Sequence, residues 1–165
     1  MKDFERFYNK ALEFLSYRTR SEKEVRDRLK LKIQKSKCKI ADQNSKLIDD
    51  IIEKLKKKKF INDEEFARQW IESRLRFKQR SLRLIKLELK QKGIDPEIID
   101  KMINDEGLMI NDVDSAKKLV EKKIERFRNL PEQEIYQKLG RYLASKGFNW
   151  DTIKKSIDEI LGKRV

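Results

Sequence analysis

One pattern is written three times along this chain, and it confines the fold to a tandem helical array. Ala11, Phe14, Leu15 and Arg18 recur as Ala67, Trp70, Ile71 and Arg74, and again as Ala116, Leu119, Val120 and Lys123. Each copy is an alanine, two large apolar residues three and four positions on, and a cation at position seven. That spacing places all four on neighbouring turns of one helix face. A second signature occurs twice, as Leu89-x-x-Lys92-Gly93-Ile94-Asp95 and Leu143-x-x-Lys146-Gly147-Phe148-Asn149. A period of roughly fifty residues holding about three helices is the mark of a helical repeat. The expected fold is all-α: an elongated, solenoid-like array of three three-helix units, at residues 1–59, 60–107 and 112–162.

Composition agrees with this reading. Charged residues are 43% of the 165, the hydrophobic set only 38%, with 5 glycines and 2 prolines. Such a balance favours helix throughout and argues against sheet. Small units with little core each account for the polarity better than one globule does. Cys38 is the single cysteine and histidine is absent, which excludes an internal disulfide and Ser-His-Asp or Cys-His chemistry and argues against a structural zinc site. Convergent acids and a nucleophile–base pair are also missing, so no catalytic residue, metal site or cofactor is expected and the chain is read as a non-enzyme. No apolar run reaches membrane-spanning length, and Met1 to Glu5 lacks a signal core. A reduced, cytoplasmic protein is expected.

The formal charge is +13, from 42 Lys and Arg against 29 Asp and Glu, which favours a polyanionic partner or a large acidic surface. It is concentrated. Residues 68–92 carry nine cations against the two acids Glu72 and Glu88. Arg68, Arg76, Lys78, Arg80, Arg83, Lys86, Lys90 and Lys92 are therefore the candidate contacts with nucleic acid or a protein–nucleic acid filament.

Along the chain, the first helix spans about Asp3 to Tyr17, with a wide apolar stripe. Ser21 caps the second, with Glu24 completing a capping box. The pattern weakens from Leu31 to Ser45, and the stretch around Cys38 reads as an exposed connection. The third helix is expected from Ser45 to Lys58, and its run Lys56 to Lys59 suits either the helix dipole or DNA. Asn62 or Asp63 caps the fourth helix, and Asp63, Glu64 and Glu65 read as first-turn acids rather than metal ligands. Trp70 is expected in the core. Ser81 starts the fifth helix and Gly93 ends it; Asp95 and Pro96 start the sixth and Gly107 stops it. A break at Met109 to Asp114 precedes the seventh helix. Pro131 and Asn149 open the last two. Tyr136, Tyr142 and Trp150 read as core aromatics rather than base-stacking ones. On the fifth helix, Leu82, Ile85 and Leu89 fall on one side and Leu84 and Leu87 roughly opposite, with Arg83, Lys86 and Lys90 as a cationic stripe between. The second apolar stripe is expected to meet an adjacent unit.

These residues resemble a known family. Ser21-x-x-Glu24-Val25-x-x-x-Leu29, Phe60-Ile61-Asn62-Asp63-x-x-Phe66-Ala67 and Ile85-x-x-Glu88-Leu89-x-x-Lys92-Gly93-Ile94 are similar, in order and over essentially the whole chain, to signatures of RecX, the bacterial regulator of RecA recombinase. One departure is the stretch Lys78-Gln79-Arg80-Ser81, where family members often carry glycine. The resemblance implies a regulator that binds the RecA nucleoprotein filament, modulates its ATPase and strand exchange (inhibition being the expected sign), and also binds single- and double-stranded DNA non-specifically. A monomer is expected. The competing reading is a non-enzymatic DNA-binding protein of helix-turn-helix type, which would need a recognition helix presenting Arg, Asn or Gln to base edges. Here the cations spread over several helices.

Overall fold

A computed structural model describes residues 2–36, 41–105 and 111–162, with side chains at all of these except 41–43 and 105. Helices follow one another in the order α1 (Lys2–Ser16), α2 (Glu22–Lys35), α3 (Ala41–Lys57), α4 (Asp63–Ser73), α5 (Leu82–Gln91), α6 (Pro96–Asp105), α7 (Asp112–Ile124), α8 (Glu132–Ser145) and α9 (Trp150–Leu161). No strand occurs among the described residues. The fold is all-α and built from three-helix repeats. Cys38 and Gly107 lie outside the described residues.

Local chemistry sets the starts. Ser21 and Glu24 close a reciprocal capping box on α2. The side chains of Asn62, Ser81, Asp95, Asn111 and Asn149 accept backbone N–H groups from the first turns of α4, α5, α6, α7 and α9, each such cap being worth about 1 kcal/mol. At the other ends, Gly93 and Gly147 take the left-handed conformation at φ +78 and +90, and the next residue's N–H returns to the carbonyl of Leu89 or Leu143. This Schellman closure favours glycine. Lys59, at φ 59, holds the same place after α3, where Phe60 N–H returns to Leu55.

Some boundaries differ from expectation, and α7 begins at Asp112, inside the break expected at Met109 to Asp114. The second helix continues to Lys35 because Ile33, only 2% exposed, prolongs the buried face of Val25 and Leu29. The third begins at Ala41 rather than Ser45.

The chain forms two compact units, Met1–Gln69 with Leu89–Met102, and Trp70–Glu88 with Ile103–Val165. In the first, Phe7, Ala11, Val25, Leu29, Ile51 and Leu55 anchor a core contributed by α1, α2 and α3. In the second, Ala116, Val120, Ile124, Leu139, Leu143 and Ile157 do the same for α7, α8 and α9. Complete burial of one such Leu or Ile contributes about 2–3 kcal/mol. The three repeated alanines are all buried to 1% or less, because a helix face pressed this closely has no room for a longer side chain.

Within each unit the same joint fastens one repeat to the next. In the first, Ser21 Oγ donates to the Lys92 carbonyl at 2.7 Å, and Glu22 N–H donates to Asp63 Oδ1 at 2.8 Å. In the second, Ser81 Oγ donates to the Gly147 carbonyl at 2.7 Å, Ser81 N–H to the Lys146 carbonyl at 3.0 Å, and Leu82 N–H to Asp112 Oδ1 at 3.1 Å. Glycine is required at the acceptor turn for a second reason besides φ. A Cβ on Gly147 would stand 2.6 Å from Leu84 Cβ, and one on Gly93 2.7 Å from Lys23 Cβ. Leu84, from the second apolar stripe of α5, thus meets the adjacent repeat as expected, whereas Leu87 is half exposed. Asp63 is more than a first-turn acid: it receives a backbone donor from α2. Burial pushes the Asp63 and Asp112 carboxyls upward, opposed by the hydrogen bonds from Glu22 and Leu82. The helix α8 opens on Pro131, in the place where α2 and α5 have serine.

Candidate nucleic-acid interface

The cation at position seven of the repeated pattern has a defined partner in each copy. Arg18 makes two hydrogen bonds to Glu24, at 2.8 and 3.2 Å. Arg74 Nε donates to Glu88 at 2.6 Å. In the third copy Tyr142 stands at the position of Glu88, and Lys123 lies 4.8 Å from its ring centroid, so a π face replaces the carboxylate.

Around Glu88 the arrangement is dense. Trp70 Nε1 donates to Glu88 at 2.9 Å, Arg80 pairs with the same carboxylate, and the Arg74 guanidinium lies 3.9 Å from the Trp70 ring centroid. Burial pulls the Arg74 guanidinium below its usual range, yet an arginine stays charged at any ordinary pH. Trp70 is therefore not the closed core residue its register suggests. It is half buried, with its polar edge tied to Glu88 and its face roofed by Arg74. Phe14, its counterpart in the first repeat, is likewise roofed by Arg20 at 4.0 Å. Trp150 also leaves the core reading, being 63% exposed; its place beside the cap Asn149 turns it outward, and Ile153, Ile157 and Ile160 bury the inner face of α9.

Between α4 and α5 the backbone widens into one π-helical turn, Arg74–Lys78. Gln79 closes it at φ 45, ψ 55, donating its N–H to the Arg74 carbonyl five residues back. Both ends of this turn are tied to one carboxylate, through Arg74 and Arg80 on Glu88. At its apex Phe77 is 74% exposed, with the Arg76 guanidinium 5.4 Å from its ring. The Lys146 ammonium donates to the Lys78 carbonyl at 3.2 Å, which brings another cation to the turn.

The eight candidate contacts separate into two kinds. Arg80 and Lys92 serve the fold: Arg80 holds Glu88, and Lys92 donates to Glu24 at 2.7 Å. Arg68 faces Glu65 at 3.6 Å, and Lys86 is half buried and engaged. Arg76, Lys78, Arg83 and Lys90 are exposed and form no ion pair among the described residues. In the lysine run that ends α3, Lys56 pairs with Glu22 and Lys57 with Glu53. A groove near the first joint is lined by five cations, Lys23 and Lys56 among them, and five acids, Asp63 and Asp95 among them, and presents no single sign. Phe77 escaped the sequence reading, although an aromatic flanked by cations in Arg76-Phe77-Lys78, beyond the end of an apolar stripe, was a usable signal. Among the described residues no cluster of acids or sulfur ligands could hold a metal ion, and no helix is long and apolar enough to cross a membrane.

Comparison with known proteins decides the family. The profiles of the first, second and third three-helix domains of RecX match residues 8–33, 62–103 and 111–157, in that order. The crystal structure of RecX from Lactobacillus salivarius superposes with a TM-score of 0.71 at 30% identity, covering 96% of both chains. The chain belongs to the RecX family. A second RecX crystal structure gives a TM-score of 0.72 at 26% identity, covering 94% of this chain and 73% of that one. The regulatory protein RecX of Bacillus licheniformis is 33% identical over 157 residues, 95% of this chain but 56% of that protein. That of Clostridium tetani is 34% identical over 155 residues, 92% of this chain and 65% of that protein. The chain thus spans about half the length of the Bacillus relatives it matches. The serines, glycines and carboxylates of both joints fall within or beside the RecX-matched segments.

Proposed function

We propose that this RecX-family chain regulates recombination and DNA repair by binding the RecA nucleoprotein filament and modulating, with inhibition as the expected sign, its ATPase and strand exchange. The observation that carries this reading is the ordered match of all three RecX domains, joined to a set of exposed, unpaired cations on the second. Repeats at 1–59, 60–107 and 112–162 supply several contacts on one chain, which raises residence time on a repeating target. The exposed Arg76, Lys78, Arg83 and Lys90 are the contacts toward DNA phosphates or acidic protomer surfaces, with Arg68 and Lys86 secondary. Because they are spread over a turn and a helix instead of gathered on one recognition face, DNA is held without sequence preference. The protein does this in the cytoplasm as a monomer and without chemistry of its own.

The test uses the charge reversals Arg83→Glu and Lys90→Glu together. Both side chains are solvent-exposed, so helicity should be unchanged. Capture of RecA with and without single-stranded DNA and nucleotide, and filament ATPase at matched concentrations, should show reduced binding and modulation by the double variant. Equal potency of wild type and variant would remove these residues from the contact surface, and no capture of RecA under any condition would overturn the function. A preference of about a thousandfold for one defined duplex would instead support the helix-turn-helix reading.

A further inference from the structure

The π-helical turn holds an aromatic ring where neither folding nor packing requires one. A non-glycine residue in the left-handed region costs roughly 1 kcal/mol, and Gln79 occupies it. The chain tolerates this because Arg74 and Arg80, one at each end of the turn, are both fastened to Glu88. What the clamped turn presents is Phe77, the most exposed phenylalanine among the described residues. Arg76 and Lys78 flank it, free of acids, and Lys146 reaches the same turn. An exposed ring among unpaired cations, on rigid backbone, matches the two needs of a single-stranded nucleic acid. Its phosphates need positive charge, and its unstacked bases need an aromatic face.

We infer that Phe77 is a stacking platform for one unpaired base of single-stranded DNA, with Arg76 and Lys78 on the flanking phosphates. The inference deepens the reading of this face as a polyanion-contacting one and rests on it. Duplex DNA offers no such base, since its bases are already stacked on one another. The same turn therefore sets a preference for single strands that the cations alone would not supply. An apolar pocket on a protein partner would also accept Phe77, but it would not require an aromatic ring or gain from cations on both sides.

The experiment titrates a fluorescein-labelled oligothymidylate, and a duplex of equal length, with the full chain in the absence of RecA. Phe77→Ala should weaken single-strand binding roughly tenfold to a hundredfold and duplex binding less than twofold. Phe77→Trp should restore or strengthen it, and Phe77→Leu, similar in size but without a π face, should not. An oligonucleotide carrying 2-aminopurine should lose fluorescence on binding wild type and Phe77→Trp but not Phe77→Leu. Circular dichroism should be the same for all, since the side chain lies outside the core. Wild-type single-strand affinity in Phe77→Ala or Phe77→Leu would overturn the proposal, as would equal losses on both DNAs. So would unchanged single-strand binding with loss of RecA capture, which would assign the ring to a protein contact and leave the filament reading intact.

Discussion

Replacing Glu88 by alanine is expected to loosen the region around α4 and α5 more than its position on a charged helix suggests. The carboxylate, 12% exposed in its side chain, receives Trp70 Nε1 and Arg74 Nε and pairs with Arg80. Alanine leaves Arg74, itself 15% exposed, without its counter-ion. Breaking a buried pair by removing one partner costs about 3–5 kcal/mol, and the slight access of water to both groups places this one near the low end, at about 3 kcal/mol. For a chain of this size that corresponds to a fall of roughly 6–12 °C in the local transition. A tandem array need not melt as one body, so a local reporter is needed. The chain has 2 tryptophans, and Trp150 is exposed. Trp150→Phe leaves Trp70, bonded to Glu88, as the only indole. Its fluorescence in a thermal or urea titration, with and without Glu88→Ala, reads the clamp directly. A double-mutant cycle with Arg74→Met should give a coupling above about 1 kcal/mol. A transition within about 1 °C of the parent, or a coupling indistinguishable from zero, would refute the assignment of Glu88 as the clamp.

Ser81→Ala should cost about 1–2 kcal/mol by urea denaturation, because the buried hydroxyl both caps α5 and donates across the joint; no change would mean that water replaces it freely. Gly147→Ala should be worse, at more than about 2 kcal/mol, since it meets a left-handed φ and Leu84 together, and a neutral result would show that the turn can shift. Burial opposes ionisation of Glu24, but its bonds from Arg18 and Lys92 prevail and hold it below the usual carboxylate range. Its contribution is thus present above the ordinary glutamate pKa and is lost as pH falls through the lower folded value; Glu24→Gln should flatten the stability profile in that acid window. Asp63 and Asp112 are shifted upward by burial, so their sign is opposite: stability present below the ordinary aspartate pKa is lost as pH rises through the folded one. Asp63→Asn, which keeps an acceptor for Glu22 N–H, should be no less stable than wild type at neutral pH, and a clear loss there would show that the charge itself is needed.

The repeat, the helix order and most of the cores were legible because apolar spacing and caps are local signals. Ser21, Asn62, Asp95 and Asn149 each reveal a helix start by residue type and offset, and the buried alanines follow from the recurring pattern. The candidate interface was less legible because charge in a sequence does not say what each cation faces. Lys92 and Arg80 look like Arg83 and Lys90 in one dimension, yet the first two neutralise Glu24 and Glu88. Trp70 was misjudged for a related reason: an aromatic at a core register can be closed by a guanidinium instead of by other apolar groups. The π-helical turn had no local signal, since it depends on Glu88, which lies ten or more residues along the chain.

The joints also have a direction, and this bears on how such chains can change length. The first repeat contributes a donor serine, and the third contributes an acceptor Lys-Gly turn and a carboxylate. Among the described residues only the second carries both, Ser81 as donor and Asp63 with Lys92-Gly93 as acceptors. At the start of α8, Pro131 offers neither a hydroxyl nor an N–H, so a repeat placed after the third would have to attach by other chemistry. In-frame duplication of the middle repeat is then the change that leaves every donor with an acceptor. A gene could lengthen there by recombination, and a designer could build longer binders there, without writing a new interface.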